Sequence, residues 1–226
     1  MASLDDLTLE LPGWTQESQS SSEAIWRNED GHGLGAYCYD IPPDIGASLE
    51  KLDELRAYYR DAIVGAGGGL VQADVGAVAA IPTVETIFKI PQEPSGMSYI
   101  ASITIPFESF SFVIKTQCAE EGMTGMRDTV VFDLMMSKFE FDEVTGSPIG
   151  WKQDPYDPEA IAPVLRNRAD DIEWDEKFPD HPLSRCRGYL LEAKAGLTLS
   201  DAVKGAPRFA GRPRAKKKSW WPFAKR

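Results

Sequence analysis

Tyr99-Ile-Ala-Ser-Ile-Thr-Ile-Pro106, followed by Phe110-Ser-Phe-Val-Ile-Lys115, is the stretch on which the fold turns. Tyr99, Ala101, Ile103 and Ile105 alternate with Ser102 and Thr104, and Phe110, Phe112 and Ile114 alternate with Ser109, Ser111 and Lys115. A period of two with aromatic and β-branched residues on one side predicts two strands sharing one apolar face. Immediately upstream, Val71, Ala73, Val75 and Ala77 alternate with Gln72, Asp74 and Gly76, and Thr83 to Ile90 continues in extended fashion after Pro82. Three or four such strands in succession predict an antiparallel meander whose apolar face needs a cover.

Two helices flank that meander. Ser48 is the expected N-cap of the first, in which Leu49, Leu52, Leu55, Tyr59 and Ile63 recur at helical spacing. Gly65-Ala-Gly-Gly-Gly69 ends it. A dinucleotide or phosphate loop needs a strand before its glycines and a helix after them, and here the order is reversed, so these glycines read as a helix stop. The second helix is expected from Gly125 to Ser137, capped by Thr124, with Met126, Val130, Leu134 and Met135 turned inward onto the sheet. Farther out, Leu9-Glu-Leu-Pro-Gly-Trp14 reads as a strand entering a turn, Ser18 to Glu23 as a polar spacer, and Ala24–Arg27 with Gly35–Tyr39 as a hairpin closed off by Pro42-Pro43.

From Gly146 the pattern changes. Trp151 to Glu159 is rich in turns, with Asp157-Pro158 as a helix start, and Asp170 to Pro182 is acidic and irregular, with Trp174 and Phe178 as anchors. A last helix is expected from Ser184 to about Ala195, held by Leu190 and Leu191. The organisation predicted is therefore an α+β sandwich domain over 1–145, a turn-rich acidic extension over 146–203 whose last helix packs on the body, and a basic aromatic tail over 204–226.

Leu11-Pro-Gly-Trp14, the helix from Leu49 to Ile63, and Tyr99 to Gln117 followed by Thr124-Gly-Met-Arg-Asp128 together resemble the PsbP-like and DcrB-like α/β/α sandwich proteins over roughly residues 11–136. The resemblance implies a binding subunit, adaptor or chaperone rather than an enzyme, and it transfers no catalytic residue. Many members of that group are exported or lipid-anchored, whereas this sequence leads to an expectation of a cytoplasmic protein. Acids at Asp5 and Asp6 stand where a secretory signal needs positive charge, and the three cysteines Cys38, Cys118 and Cys186 suit reduced thiols.

Charge is unevenly spread. Nine basic residues and no acid lie between Lys204 and Arg226, and removing those nine charges from the formal −11 leaves −20 on residues 1–203. The segment containing Lys216, Lys217, Lys218, Trp220, Trp221, Phe223, Lys225 and Arg226 is thus a cationic, aromatic arm on an acidic body. Such an arm suits a protein partner, whose groove its aromatic residues would enter, or an anionic membrane surface, the latter giving reversible peripheral attachment at the inner face. Nucleic acid is disfavoured, because the acidic body repels that polyanion.

The residues with reactive chemistry point elsewhere only weakly. His32 with Cys38, and His181 with Cys186, supply a two-His, two-Cys set of the type that zinc accepts, at spacings that match no zinc signature. They would carry the alternative function, a metal-dependent or Cys/His hydrolase. Cys118 with His181 and Asp180 is a second nucleophilic arrangement, opposed by Glu120 and Glu121, whose charge should raise the thiol pKa. Asp154, Asp157, Glu159, Asp170, Asp171, Glu173, Asp175, Glu176 and Asp180 are dense enough for a hard cation, but Arg166, Arg168, Lys177, Arg185 and Arg187 lie among them, so solvated ion pairs are expected. Neither Gly-x-Ser-x-Gly nor His-Glu-x-x-His occurs. The expectation is a non-catalytic binding protein with no cofactor.

Overall fold

Alternation over residues 69–119 becomes a long antiparallel sheet in the computed structural model, which describes residues 2–211. The strands are β1 (Leu7–Leu9), β2 (Trp14–Gln19), β3 (Glu23–Asn28), β4 (Gly33–Tyr39), β5 (Gly69–Val78), β6 (Ile81–Pro91), β7 (Met97–Pro106), β8 (Ser111–Ala119) and β9 (Leu197–Leu199). The helices are α1 (Leu52–Gly65), α2 (Met126–Met135), α3 (Pro182–Gly196) and α4 (Asp201–Lys204). Among the described residues, β2 to β8 form one seven-stranded sheet in the order β2-β3-β4-β8-β7-β6-β5, and β1 pairs with β9 in a separate two-stranded ribbon. Every pairing in the two sheets is antiparallel.

The sheet is covered on both sides, which makes the architecture α+β in three layers. Val84 and Phe88 of β6 pack with Leu55 and Ile63 of α1 on one face. The residues between them, Glu85 and Ile87, point to the opposite face, where α3 lies against β7 and β8 and Lys194 bonds Glu85 at 2.5 Å. The main core fills that second interface with Ala101, Ile103, Ile105, Phe112 and Ile114 from the sheet and Leu183, Cys186 and Leu190 from α3. Burying apolar surface at roughly 25 cal/mol per Å² is what holds the layers together.

Several local expectations need correction. Helix α1 begins at Leu52, not beside Ser48: Ser48 and its neighbours form a turn in which Ser48 Oγ accepts from the Glu50 N–H at 3.2 Å. Residues 18 and 19 belong to β2, an exposed edge strand with a bulge between Gln16 and Ser18, so a strand that buries neither face carries no apolar signal. Asp157-Pro158 starts no helix; Asp157 accepts from the Glu159 N–H in a turn and reaches Arg60 at 3.2 Å. Helix α3 starts at Pro182, two residues before Ser184, and its Leu191 is 70 % exposed while Leu190 is buried.

The largest difference concerns α2. Met126, Val130 and Leu134 do not face the sheet. The residues buried on this helix are Arg127 and Val131, about 100° around the axis from Met126 and Val130. Val131 joins Trp151, Ala169 and Trp174 in a small core of its own, with Phe132, Met135, Phe139 and Phe178 at its margin. The cover expected from α2 is supplied by α3.

Candidate functional site

Where β7 begins, β8 ends and α2 starts, the chain buries a dense set of charged groups. Lys89 occupies an inward position of β6 between apolar residues and is only 3 % exposed. Its ammonium meets Asp170 Oδ2 at 2.6 Å, and the same carboxylate accepts from the Asn167 N–H at 3.0 Å and from the Tyr99 hydroxyl at 3.3 Å. Arg127 is held more completely still. Its Nε donates to the Ala169 carbonyl at 2.6 Å, Nη1 to Ser184 Oγ at 2.8 Å, and Nη2 to the Asp171 carbonyl at 3.0 Å and to Asp175 Oδ1 at 2.9 Å. Arg187 of α3 donates to both oxygens of Asp175 and to the Asp170 carbonyl. Of the acids expected in solvated ion pairs, Asp170 and Asp175 are paired in the interior, with Lys89, Arg127 and Arg187, while Asp180 and Arg185 pair at the surface.

Glu120 and His181 complete the edge of the cluster. Glu120 accepts from the Met97 and Gly125 N–H groups, both at 2.9 Å, and thereby ties the start of β7 to the start of α2. His181 Nδ1 accepts from the Leu183 N–H at 3.2 Å and so caps α3. An accepting Nδ1 leaves the proton on Nε2, which lies 3.6 Å from Glu120 Oε1. Asn167 Nδ2 donates to Asp128 Oδ2 at 2.7 Å.

The electrostatics follow from burial set against pairing. Burial alone would push the Asp170 carboxyl up, but the charge and hydrogen bond of Lys89 prevail and hold it below its ordinary value. Glu120 is likewise depressed, its desolvation outweighed by His181 and the two backbone donors. Asp128 is raised, by burial first and by the Asp170 charge second. Burial, reinforced by Asp170, drives the Tyr99 hydroxyl well above its usual range, which makes it a fixed donor. The arrangement can lock elements together, because its charges are engaged with one another.

That lock determines what α2 shows to solvent. With Arg127 and Asp128 drawn inward, Met126, Val130 and Leu134 stand outward at 48, 40 and 55 % exposure, one above another at four-residue spacing. Met123 is exposed just ahead of the helix. Phe141, Val144 and Ile149 are exposed in the loop that follows, which closes on itself through the Phe141–Pro148 bridge. Glu121, Asp133, Glu140 and Glu143, all exposed, are interspersed with these apolar residues. The result is an apolar stripe with carboxylates alongside.

The structure separates the reactive residues that the sequence singles out. His32 Nε2 lies 2.9 Å from Arg185 Nη1, and its ring packs near Tyr189. Cys38 is buried on β4, its thiol pKa raised by burial and by Asp40 and Asp6. Cys186 is buried beside Cys118. Among the described residues, no three His, Cys, Asp or Glu side chains come together in a way that could hold a metal ion. Cys118 and Asp180 do not form a relay with His181: Cys118 is buried beside Cys186, whose thiol donates to the Tyr99 carbonyl at 3.5 Å, and Asp180 pairs with Arg185. The expected rise in the Cys118 pKa is overturned too. The neighbouring Cys186 pulls the Cys118 thiol down, while Cys118 and burial push Cys186 up. Lys216, Lys217, Lys218, Trp220, Trp221, Phe223, Lys225 and Arg226 lie outside the described residues.

Arg127, Lys89 and Tyr99 escaped the sequence reading as site residues, whereas Asp170 entered it only among the acids weighed for a hard cation and expected in solvated ion pairs; two of the three left a trace. Lys89 shares a face with the buried Ile87 and stands between Phe88 and Ile90, and Arg127 sits one turn from the buried Val131. A charge in an inward register implies a buried partner.

No helix among the described residues is long and apolar enough to cross a membrane. No family model matches the chain, and no curated protein matches it. Among solved structures, the chain is similar to one from Bacteroides thetaiotaomicron VPI-5482 at 8 % identity and a TM-score of 0.34, covering 52 % of this chain and 40 % of that one. It is also similar to cyanobacterial PsbP (CyanoP) from Synechocystis sp. PCC 6803 at 14 % identity and a TM-score of 0.36, covering 61 % of this chain and 91 % of that one. The second is a weak PsbP-like resemblance in fold.

Proposed function

We propose that this chain is a non-catalytic binding protein of the adaptor or chaperone type. The observation that carries the reading is the orientation of α2, whose Arg127 and Asp128 are spent on internal structure while Met126, Val130 and Leu134 face solvent. Exposing an apolar stripe while burying an arginine runs against the ordinary partition of side chains, and an apolar patch with a polar margin is the usual surface of a protein contact. A catalytic acid or base needs a face open to substrate. Here Asp170 is enclosed by Lys89, Asn167 and Tyr99, and Arg127 by Asp175 and Ser184.

The second docking element is the basic aromatic segment from Lys216 to Arg226. Its lysines suit an acidic surface, and Trp220, Trp221 and Phe223 supply apolar area for a groove. Reversible attachment to the inner face of an anionic membrane would use the same residues. Each Lys or Arg near such a surface contributes on the order of 1 kcal/mol, and Trp favours the headgroup region.

The test compares the full-length chain with its Trp220→Ala/Trp221→Ala variant, in pull-downs and in cosedimentation with neutral and anionic vesicles over a salt series. A protein or vesicle bound by the wild type and lost by the variant supports the docking role. Identical behaviour of the two overturns it.

A further inference from the structure

We infer that the outward stripe of α2 is the binding surface for the Lys216–Arg226 segment of a second copy of this chain, so that the protein self-associates through its tail. The inference rests on the reading of that segment as a docking element, and it names the partner. Three observations carry it.

The first is complementarity. The stripe offers Met126, Val130 and Leu134 with Glu121, Asp133 and Glu140 close by in sequence and exposed. Residues 212–226 hold seven basic residues, no acid, and the aromatic set Trp220, Trp221 and Phe223. Apolar contact at the centre with opposite charges at the rim is the arrangement that gives a protein contact both affinity and register.

The second is cause. The stripe is exposed because Arg127 is fixed by four internal acceptors, which sets the rotation of α2. Rotating the helix to hide Val130 would strip a buried guanidinium of its partners, so the apolar face stays outward until something covers it.

The third is reach. The described chain ends at Gly211, which lies against Ser48. That corner is marked by Glu108 N–H donating to the Pro207 carbonyl and by a cavity of about 350 Å³ lined by Ser48, Pro82, Pro106 and Phe209. It adjoins the last residue of β7, whereas α2 starts beside the first, Met97, which Glu120 joins to Gly125. The two corners are therefore about 30 Å apart, the length of a ten-residue strand. Nine Cα-to-Cα steps lead from Gly211 to Trp220, and fully extended they span at most about 32 Å. Within one molecule the tail would have to run taut across the body merely to bring its first tryptophan to the near edge of α2. A second copy imposes no such limit, and a reciprocal exchange of tails closes a two-fold dimer.

Sedimentation velocity of the full-length chain over a concentration series tests this, with Val130→Asp, Trp220→Ala/Trp221→Ala, and an equimolar mixture of the two variants. Val130 is exposed, so its substitution should leave the thermal midpoint near that of the wild type, and circular dichroism checks this. The expected result is concentration-dependent dimerisation of the wild type, weakened about tenfold or more in each variant alone and by added salt. The mixture should regain association, because one variant keeps the tail and the other keeps the stripe. A wild type that stays monomeric, association indifferent to either substitution, or a mixture no better than its components overturns the inference. If the wild type stays monomeric yet still binds vesicles or a partner through Trp220 and Trp221, the second-copy assignment falls while the docking role stands.

Discussion

Lys89 and Asp170 meet across 81 residues of sequence, in a place where neither would be tolerated alone. Removing one partner leaves the other as an uncompensated buried charge. Lys89→Met should therefore cost about 3–5 kcal/mol in urea unfolding, while the double change Lys89→Met/Asp170→Leu should recover much of that loss. A double variant no more stable than the single one would show that the pair is not the source of the penalty. The same residues give the stability an acid limb. Asp170 and Glu120 are depressed below their ordinary values of 3.8 and 4.5, so their contribution is complete above those values and is lost as the pH falls through the folded-state pKa. Asp128, raised by burial, acts in the opposite sense. Urea midpoints should decline as the pH is taken below these ordinary values, and Glu120→Gln should flatten the decline. An unchanged slope would remove Glu120 from the account.

At the scale of the element, α2 sets a helix-period pattern against a tertiary lock, and the lock prevails. Met126, Val130 and Leu134 recur as an inward face should, yet the inward face is the one that carries Arg127 and Val131. Adjacent substitutions make the rotation measurable. Val131→Asp should unfold the local core formed with Trp151 and Trp174, at a cost of about 3 kcal/mol or more, whereas Val130→Asp should change stability by no more than about 0.5 kcal/mol. Equal effects at the two positions would mean that the helix is turned otherwise. Helix α3 offers a parallel case. Its cap is the imidazole of His181 rather than the hydroxyl of Ser184, which instead accepts from Arg127. Sequence reasoning prefers Ser as a cap because of its intrinsic chemistry, and it had no means of knowing that Arg127 claims this one.

At the scale of the whole molecule, the first and last strands of the described chain are joined. β1 pairs with β9, Ser200 Oγ donates to Asp6 Oδ1 at 2.8 Å, and the Glu10 N–H donates to the Gly196 carbonyl at 3.0 Å. At Gly196 a side chain would meet backbone, since a Cβ there would lie 1.9 Å from the Glu10 carbonyl oxygen. Gly196→Ala should therefore force the ribbon apart, costing about 1–3 kcal/mol and opening β9 to hydrogen exchange ahead of β7 and β8. Simultaneous exchange of all three strands would refute the idea of a separable ribbon. The meander was legible because Tyr99 to Ile114 alternates against a buried face on both strands. The edge strand β2 was legible only in part, because its exposed residues carry no apolar period. The buried cluster was not legible, since its partners lie on β6, β7, α2, α3 and the segment between the last two.

Local pattern alone determined the antiparallel sheet, the helix after Pro42-Pro43, and the division into an acidic body and a basic aromatic segment, because alternation, helical spacing and charge are properties of neighbouring residues. Only the tertiary structure decided which helix covers the sheet and which face of α2 is hidden. Those outcomes depend on Arg127, Asp175 and Ser184 meeting across some fifty residues of chain, and no window of sequence records whether a buried charge has found its partner.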